Sequence, residues 1–154
     1  MAEPIIKKIG IRDIKCGTNV VIIEPCNLYE CEIGDNTFIG PFVEIQKGVT
    51  IGRRCKIQSH SFICELVTIG DDCFISHGAK FVNDTFKLGK PAGGNRELWK
   101  PTIIGNHVAI GTNATILPVK ITDRVVIGAG SVVTKDILHS GIYAGNPARK
   151  IRDL

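Results

Sequence analysis

Isoleucine recurs at every sixth position through the first half of the chain, at Ile33, Ile39, Ile45, Ile51, Ile57, Ile63, Ile69 and Ile75, and Phe81 takes the next place. A period of six fits neither an amphipathic helix, nor a half-buried strand, nor a heptad seam. It is the mark of a β-helix, in which three hexapeptides close one triangular coil and each supplies a short strand and a corner. The residue four places after each aliphatic one supports this reading: Thr37, Val43, Val49, Cys55, Ser61, Val67, Cys73 and Ala79 are all small or β-branched, as stacked interior corners require. Gly34, Gly40, Gly52 and Gly70 directly follow an aliphatic position, where we expect a bend that uses glycine's permissive dihedrals. The same spacing stacks Cys55 on Cys73, and Cys31 continues the column toward the N-terminus. The six cysteines therefore read as free thiols, those of the column as small interior residues, and not as a disulfide framework.

The pattern resumes at Ile104, Ile110 and Ile116, and again at Ile121, Ile127 and Val133. Ile116 to Ile121 is a step of five, which reads as a one-residue deletion and leaves the register beyond it open. Phe81 to Ile104 holds about 17 residues more than the repeat needs, so a long loop is expected at about 82–103, and loops of that length are usually functional or disordered. After Val133 the repeat fades into a Ser-Gly turn and an Asn-Pro break, and about 136–154 reads as a short C-terminal cap. The expectation is one all-β domain over 1–154. Its core is aliphatic, since aromatic residues make up 6% of a chain that is 44% hydrophobic.

A net charge of +4 suits a small anionic ligand and is too weak to argue for nucleic acid. No apolar run is long enough to span a membrane, and the opening "MAEPIIKKIG" has no apolar signal core, so a cytoplasmic location is expected.

The repeat, the single long loop, "IGTNATILP" at 110–118, "IGAGSVVTKDI" at 127–137 and "GNPARKI" at 145–151 together resemble the hexapeptide-repeat acyltransferases. "VEIQKGVTIGRRCKIQSHSFI" followed by "FVND" looks like the bacterial nucleotide-sugar N-acetyltransferases within that superfamily. The resemblance implies a left-handed parallel β-helix, a homotrimer with active sites between subunits, and acetyl-CoA as co-substrate with no metal. The implied reaction is acetylation of an amino group on a dTDP- or UDP-linked deoxysugar. Relatives that acetylate galactosides carry a histidine at the loop entrance. Here that place reads Asn83-Asp84 and the loop has no histidine, which favours the amino-sugar branch.

Transfer from a thioester to an amine needs an unprotonated nucleophile and a group to take its proton, and histidine is the natural base near neutral pH. The 18-residue coil brings His60 and His77 to one corner, both pointing outward, with Ser59 under His77 and His60 under Gly78. His60 is the candidate base or amine-positioning residue, with His77 nearby toward the substrate. Asn83 and Asp84 match the loop-entrance motif, Asp84 as a holder of the substrate ammonium or a hydroxyl, or alternatively as a turn former. Lys87, Lys90 and Arg96 are candidates for a sugar-nucleotide pyrophosphate and Trp99 for packing against a base or a neighbouring subunit. Backbone groups around Gly111, Ala129 and Ser131 are candidates for the pantetheine arm of coenzyme A, and Lys135, Arg149 and Lys150 for its phosphates. His107 and His139 read as surface residues.

Three rivals stand beside this reading: O-acetylation of a sugar or serine hydroxyl, a carbonic anhydrase on the same scaffold, and a non-catalytic β-helix scaffold. The anhydrase needs three zinc histidines, two of them usually spaced H-x4-H, a pair that this sequence lacks.

Overall fold

Each hexapeptide yields two or three extended residues and then a corner, as at Glu44–Ile45, Thr50–Ile51 and Lys56–Ile57. The computed structural model, which describes residues 3–154, stacks these strands in parallel into sheets of seven, six and eight strands, the three faces of a left-handed parallel β-helix. The first face includes Glu44–Ile45, Phe62–Ile63 and Lys80–Phe81. The second includes Thr50–Ile51, Val67–Ile69 and Thr102–Ile104, and the third Lys56–Ile57, Phe74–Ile75 and Ala109–Ile110. The coil begins at Ile11–Arg12, ahead of the isoleucine repeat that starts at Ile33.

Isoleucine stacks on isoleucine in register, Ile39 on Ile57, Ile57 on Ile75 and Ile75 on Ile110, and all four are fully buried. The second column is buried as expected, from Thr37 to Ala79. Cys55 and Cys73 are free thiols that donate inside the coil to the carbonyls of Gly70 and Gly105, each at 3.1 Å.

The glycines after the isoleucines have a different cause from the one expected. None of Gly34, Gly40, Gly52 and Gly70 adopts a positive φ. A Cβ at Gly34 would lie 2.7 Å from the carbonyl carbon of Gly52, and one at Gly70 would lie 2.7 Å from the carbonyl oxygen of Gly105. Glycine is needed there because the next coil's backbone fills the space. The left-handed residue of each corner lies two places further on, and it too recurs every sixth position, at Asn36, Phe42, Gly48, Arg54, His60, Leu66, Asp72 and Gly78.

The five-residue step at Ile116 does not disturb the register. Ile116 pairs with Val133 and Ile104 with Ile121 without a shift. Steps of five also occur from Ile11 to Cys16 and from Leu28 to Ile33, at the same edge of the prism, where the first face turns into the second. The long loop leaves from that edge as well, between Lys80–Phe81 and Thr102–Ile104. One edge thus absorbs every change of length, and Thr102 is already back in the sheet opposite Val67. At the far end Gly141–Ala144 extends the third face and Arg149–Arg152 folds back antiparallel beside it. No helix among the described residues is long and apolar enough to cross a membrane.

Candidate active site

Two edges of the prism carry the candidate residues. The first is the histidine edge, where the third face turns into the first. Coil stacking there follows the sequence expectation: the amide of Gly78 donates to the carbonyl of Ser59 at 2.9 Å, and that of Asn113 to His77. His60 and His77 are both exposed on this edge. His60 has the left-handed φ of +64°, which projects its side chain off the corner. Its ring stacks on Phe42, centroids 4.9 Å apart and planes 16° from parallel. The ammonium of Lys80, on the first face, donates to the His60 carbonyl and braces the corner.

The second is the loop edge, across the two-residue strand Lys80–Phe81. Asn83 opens the loop, donating from Nδ2 to the carbonyl of Glu65 at 3.2 Å, while its own carbonyl accepts the amide of Lys100 at 3.0 Å. That pair ties the two ends of the loop together. Asp84 accepts the amides of Phe86 at 2.9 Å and Ala92 at 2.7 Å, one on each carboxylate oxygen, so within this chain it organises the loop's first turn. Arg96 pairs with Glu65, whose side chain is only 17% exposed, and its guanidinium lies over Trp99 at 5.9 Å. Arg96 is therefore already committed to a carboxylate. Lys87 and Lys90 stand exposed on the loop with no hydrogen bond or ion pair among the described residues.

The loop is latched to the coil through Glu65, and none of its hydrogen bonds or ion pairs reaches His60 or His77. Removing the latch should loosen the loop without unfolding the coil. Arg96→Ala is expected to change stability by less than about 1 kcal/mol, the range of exposed ion pairs, while speeding limited proteolysis within 86–95. An unchanged cleavage rate would contradict the latch.

The groups expected to meet coenzyme A fare unequally. Ser131 is completely buried, four places after Ile127 in the small interior column, and its hydroxyl accepts the amide of Gly145 at 3.1 Å. Its amide and carbonyl are taken up by Gly128 and Thr115. Gly111 also uses its amide within the coil, donating to Ile127 at 2.8 Å, and its carbonyl accepts Ala114. Ala129 is exposed at the histidine edge, one place before the corner residue Gly130. Lys135 and Arg149 are exposed cations without a carboxylate partner among the described residues, whereas Lys150 pairs with Asp153 at 2.6 Å. That pairing raises the Lys150 ammonium pKa and lowers the Asp153 carboxyl pKa.

Three participants escaped the sequence reading: Phe42, Lys80 and Glu65. The coil length was the available signal, since Phe42 lies 18 residues before His60 and Glu65 lies 18 before Asn83. Cys64, beside Glu65, is buried and its thiol is pushed up to about 12 by desolvation, which keeps it protonated and unreactive near neutral pH.

Two segments match family models: residues 30–65 match the bacterial transferase hexapeptide (six repeats), and residues 101–135 match the hexapeptide repeat of succinyl-transferase. The loop lies in the gap between them. Galactoside O-acetyltransferase of Escherichia coli (strain K12) is 36% identical over 128 residues, covering 79% of this chain and 63% of that protein. The bifunctional protein GlmU of Clostridium kluyveri (strain NBRC 12016) is 33% identical over 140 residues, 85% of this chain but 30% of that protein. The chain thus spans less than two thirds of the length of either curated relative. Among solved structures, a variant of AntD, an N-acyltransferase from Bacillus cereus in complex with dTDP and coenzyme A, superposes with a TM-score of 0.79 at 28% identity, covering 90% of this chain and 83% of that one.

Proposed function

Because this chain is a member of the hexapeptide-repeat transferase family, we propose that it is an acetyl-CoA-dependent N-acetyltransferase acting on the amino group of a dTDP- or UDP-linked amino deoxysugar. The observation that carries this reading is its likeness, over nine tenths of the chain, to an N-acyltransferase that holds both dTDP and coenzyme A. The loop entrance Asn83-Asp84, without a loop histidine, supports the amino-sugar branch.

In this mechanism the sugar amine attacks the thioester carbonyl carbon, the nitrogen–carbon bond forms, and the carbon–sulfur bond breaks to release coenzyme A. His60 accepts the proton that the amine loses. Its exposed, corner-mounted imidazole, braced by Phe42 and Lys80, suits that task. Holding amine and thioester together supplies much of the remaining acceleration. Asn83 and Asp84 orient the acceptor, with His77 beside His60. Lys87, Lys90 and Trp99 are reserved for the nucleotide moiety, while Arg96 shapes the loop. Ala129, Lys135 and Arg149 are the residues best free to meet coenzyme A.

The site is completed between subunits of a homotrimer in this reading. The loop and the histidines occupy different edges of one protomer, so a loop from one copy is needed to cover the histidine edge of the next. The third face is compatible with such packing: its outward column runs Val21, Phe38, Lys56, Phe74, Ala109, Val126 and Ile142, apolar except at Lys56, with Val21 and Phe74 49% and 40% exposed. Isolated apolar residues on a surface are ordinary, but a run such as Phe74, Ala109, Val126 and Ile142 along adjacent strands suits an interaction face. The reading places the protein in the cytoplasm, where acetyl-CoA is available.

The 36% identity to a galactoside O-acetyltransferase favours a second reading, transfer to a sugar hydroxyl. Thiol release from acetyl-CoA, followed with matched amino and hydroxyl sugars, separates the two.

A further inference from the structure

From Phe42 onward, each coil puts a residue with a left-handed backbone at the corner of the histidine edge. Later coils fill it with Gly78, Asn113 and Gly130, at φ +68°, +56° and +65°. Glycine and asparagine are the residues that bear this conformation most easily. Two adjacent coils break the pattern with Phe42 at φ +59° and His60 at +64°. Arg54 and Leu66 take the same conformation at corners of the other two edges, so the coil imposes it and what sets Phe42 apart is its contact. Phe42 is not held there by the core, since it is 55% exposed. Its one specific partner is the imidazole of His60, on which it stacks nearly parallel. An exposed phenyl ring stacked face-on against the candidate base is a contact that the buried core does not require.

We propose that Phe42 is a positioning residue for His60: its ring fixes the plane of the imidazole so that one nitrogen faces the attacking amine. The inference rests on the reading of His60 as the base. A histidine on an open edge has free rotation about two side-chain bonds, and a misplaced base costs rate even when substrates still bind. Stacking removes that freedom on one side, while the Lys80 ammonium holds the backbone of the same residue. The Phe42 ring also borders a shallow hollow with Ile9, Pro25, Cys26 and Glu44, one coil below the base. The same ring therefore separates the imidazole from that hollow.

Steady-state kinetics of Phe42→Leu, Phe42→Tyr and Phe42→Gly test this, each made alone and Phe42→Leu also in a His60→Ala background. Phe42→Leu should lower kcat about 10-fold with the acetyl-CoA KM unchanged, and Phe42→Tyr, which keeps the stacked ring, should recover most of the rate. Phe42→Gly should melt no lower than the parent, because the corner strain is relieved, and still lose rate like Phe42→Leu. In the His60→Ala background, Phe42→Leu should add less than about a 2-fold loss, since the two residues act as one unit. The His60 ring protons should lose their ring-current shift in the Phe42→Leu NMR spectrum. Full activity of Phe42→Leu, or an equal loss with and without His60, would overturn the positioning role. If His60→Ala alone keeps full rate, the base assignment fails first, and any loss in Phe42→Leu then has another origin.

Discussion

His60→Ala is expected to lower kcat for acetyl transfer by about 100-fold or more while the KM for acetyl-CoA stays within about 3-fold, as befits a proton acceptor that acts in the transition state. The substitution should not disturb the fold. His60 is exposed, its backbone amide and carbonyl are held by Pro41 and Lys80, and no core residue depends on its ring. Because the corner has φ +64°, His60→Asn is a useful companion: it suits the left-handed backbone and still lacks the imidazole. Both variants should share the same loss at unchanged thermal midpoint. A rate within about 2-fold of the parent in both would reject His60 as the base and leave the departing thiolate to take the proton.

The largest stability effect is expected at Gly70. Its φ is not positive, so a reading from dihedrals alone makes Gly70→Ala nearly neutral or slightly favourable. Its surroundings say otherwise. The new Cβ would lie 2.6 Å from Oδ1 of Asn106 and 2.7 Å from the carbonyl oxygen of Gly105. Gly105 is backbone of the next coil, fixed by its own bond to the carbonyl of Ile121 at 2.8 Å, so it cannot retreat without parting the stack. Gly70→Ala should cost about 3 kcal/mol, the upper end of overpacking penalties, measured as a shift in denaturant midpoint at constant slope. A cost under about 0.5 kcal/mol would return the explanation to backbone dihedrals. The same stacking is repeated at Gly17, Gly52 and Gly105, where the added carbon would meet Asp35, Asp71 and Asp123 within 2.5 Å.

The repeat made the fold readable because each coil repeats the same two decisions. The isoleucine column and the small column four places on were legible from Ile33 to Phe81, and both are buried throughout. What the linear reading misjudged was anything set by the coil above or below. Gly34 and Gly70 were given a dihedral reason because the next coil's backbone is invisible from their own neighbours in sequence. The five-residue step at Ile116 looked like a fault until Ile11 and Leu28 showed the same short corner on the same edge. Ser131 follows the repeat: the rule that buries Ala79 and Ser61 also buries it, four after Ile127. In the candidate site, the pairing of His60 and His77 on one corner followed from coil length, and the same count would have found Phe42 and Glu65. The local turn of Asp84 onto the Phe86 amide was open to a sequence reading, whereas its bond to Ala92 and the pairing of Arg96 with Glu65 were not, since the loop folds outside the repeat and no period relates its residues.

The central claim is transfer of acetyl from acetyl-CoA to an amine on a nucleotide-linked sugar. The most direct measurement is thiol release with purified protein, acetyl-CoA and dTDP- or UDP-linked deoxysugars, each amino sugar paired with its hydroxyl counterpart. The account predicts stoichiometric coenzyme A release with at least one amino sugar and none above background with its hydroxyl partner. Release with the hydroxyl partner or with simple galactosides, and not with any amino sugar, would contradict it and establish O-acetylation instead.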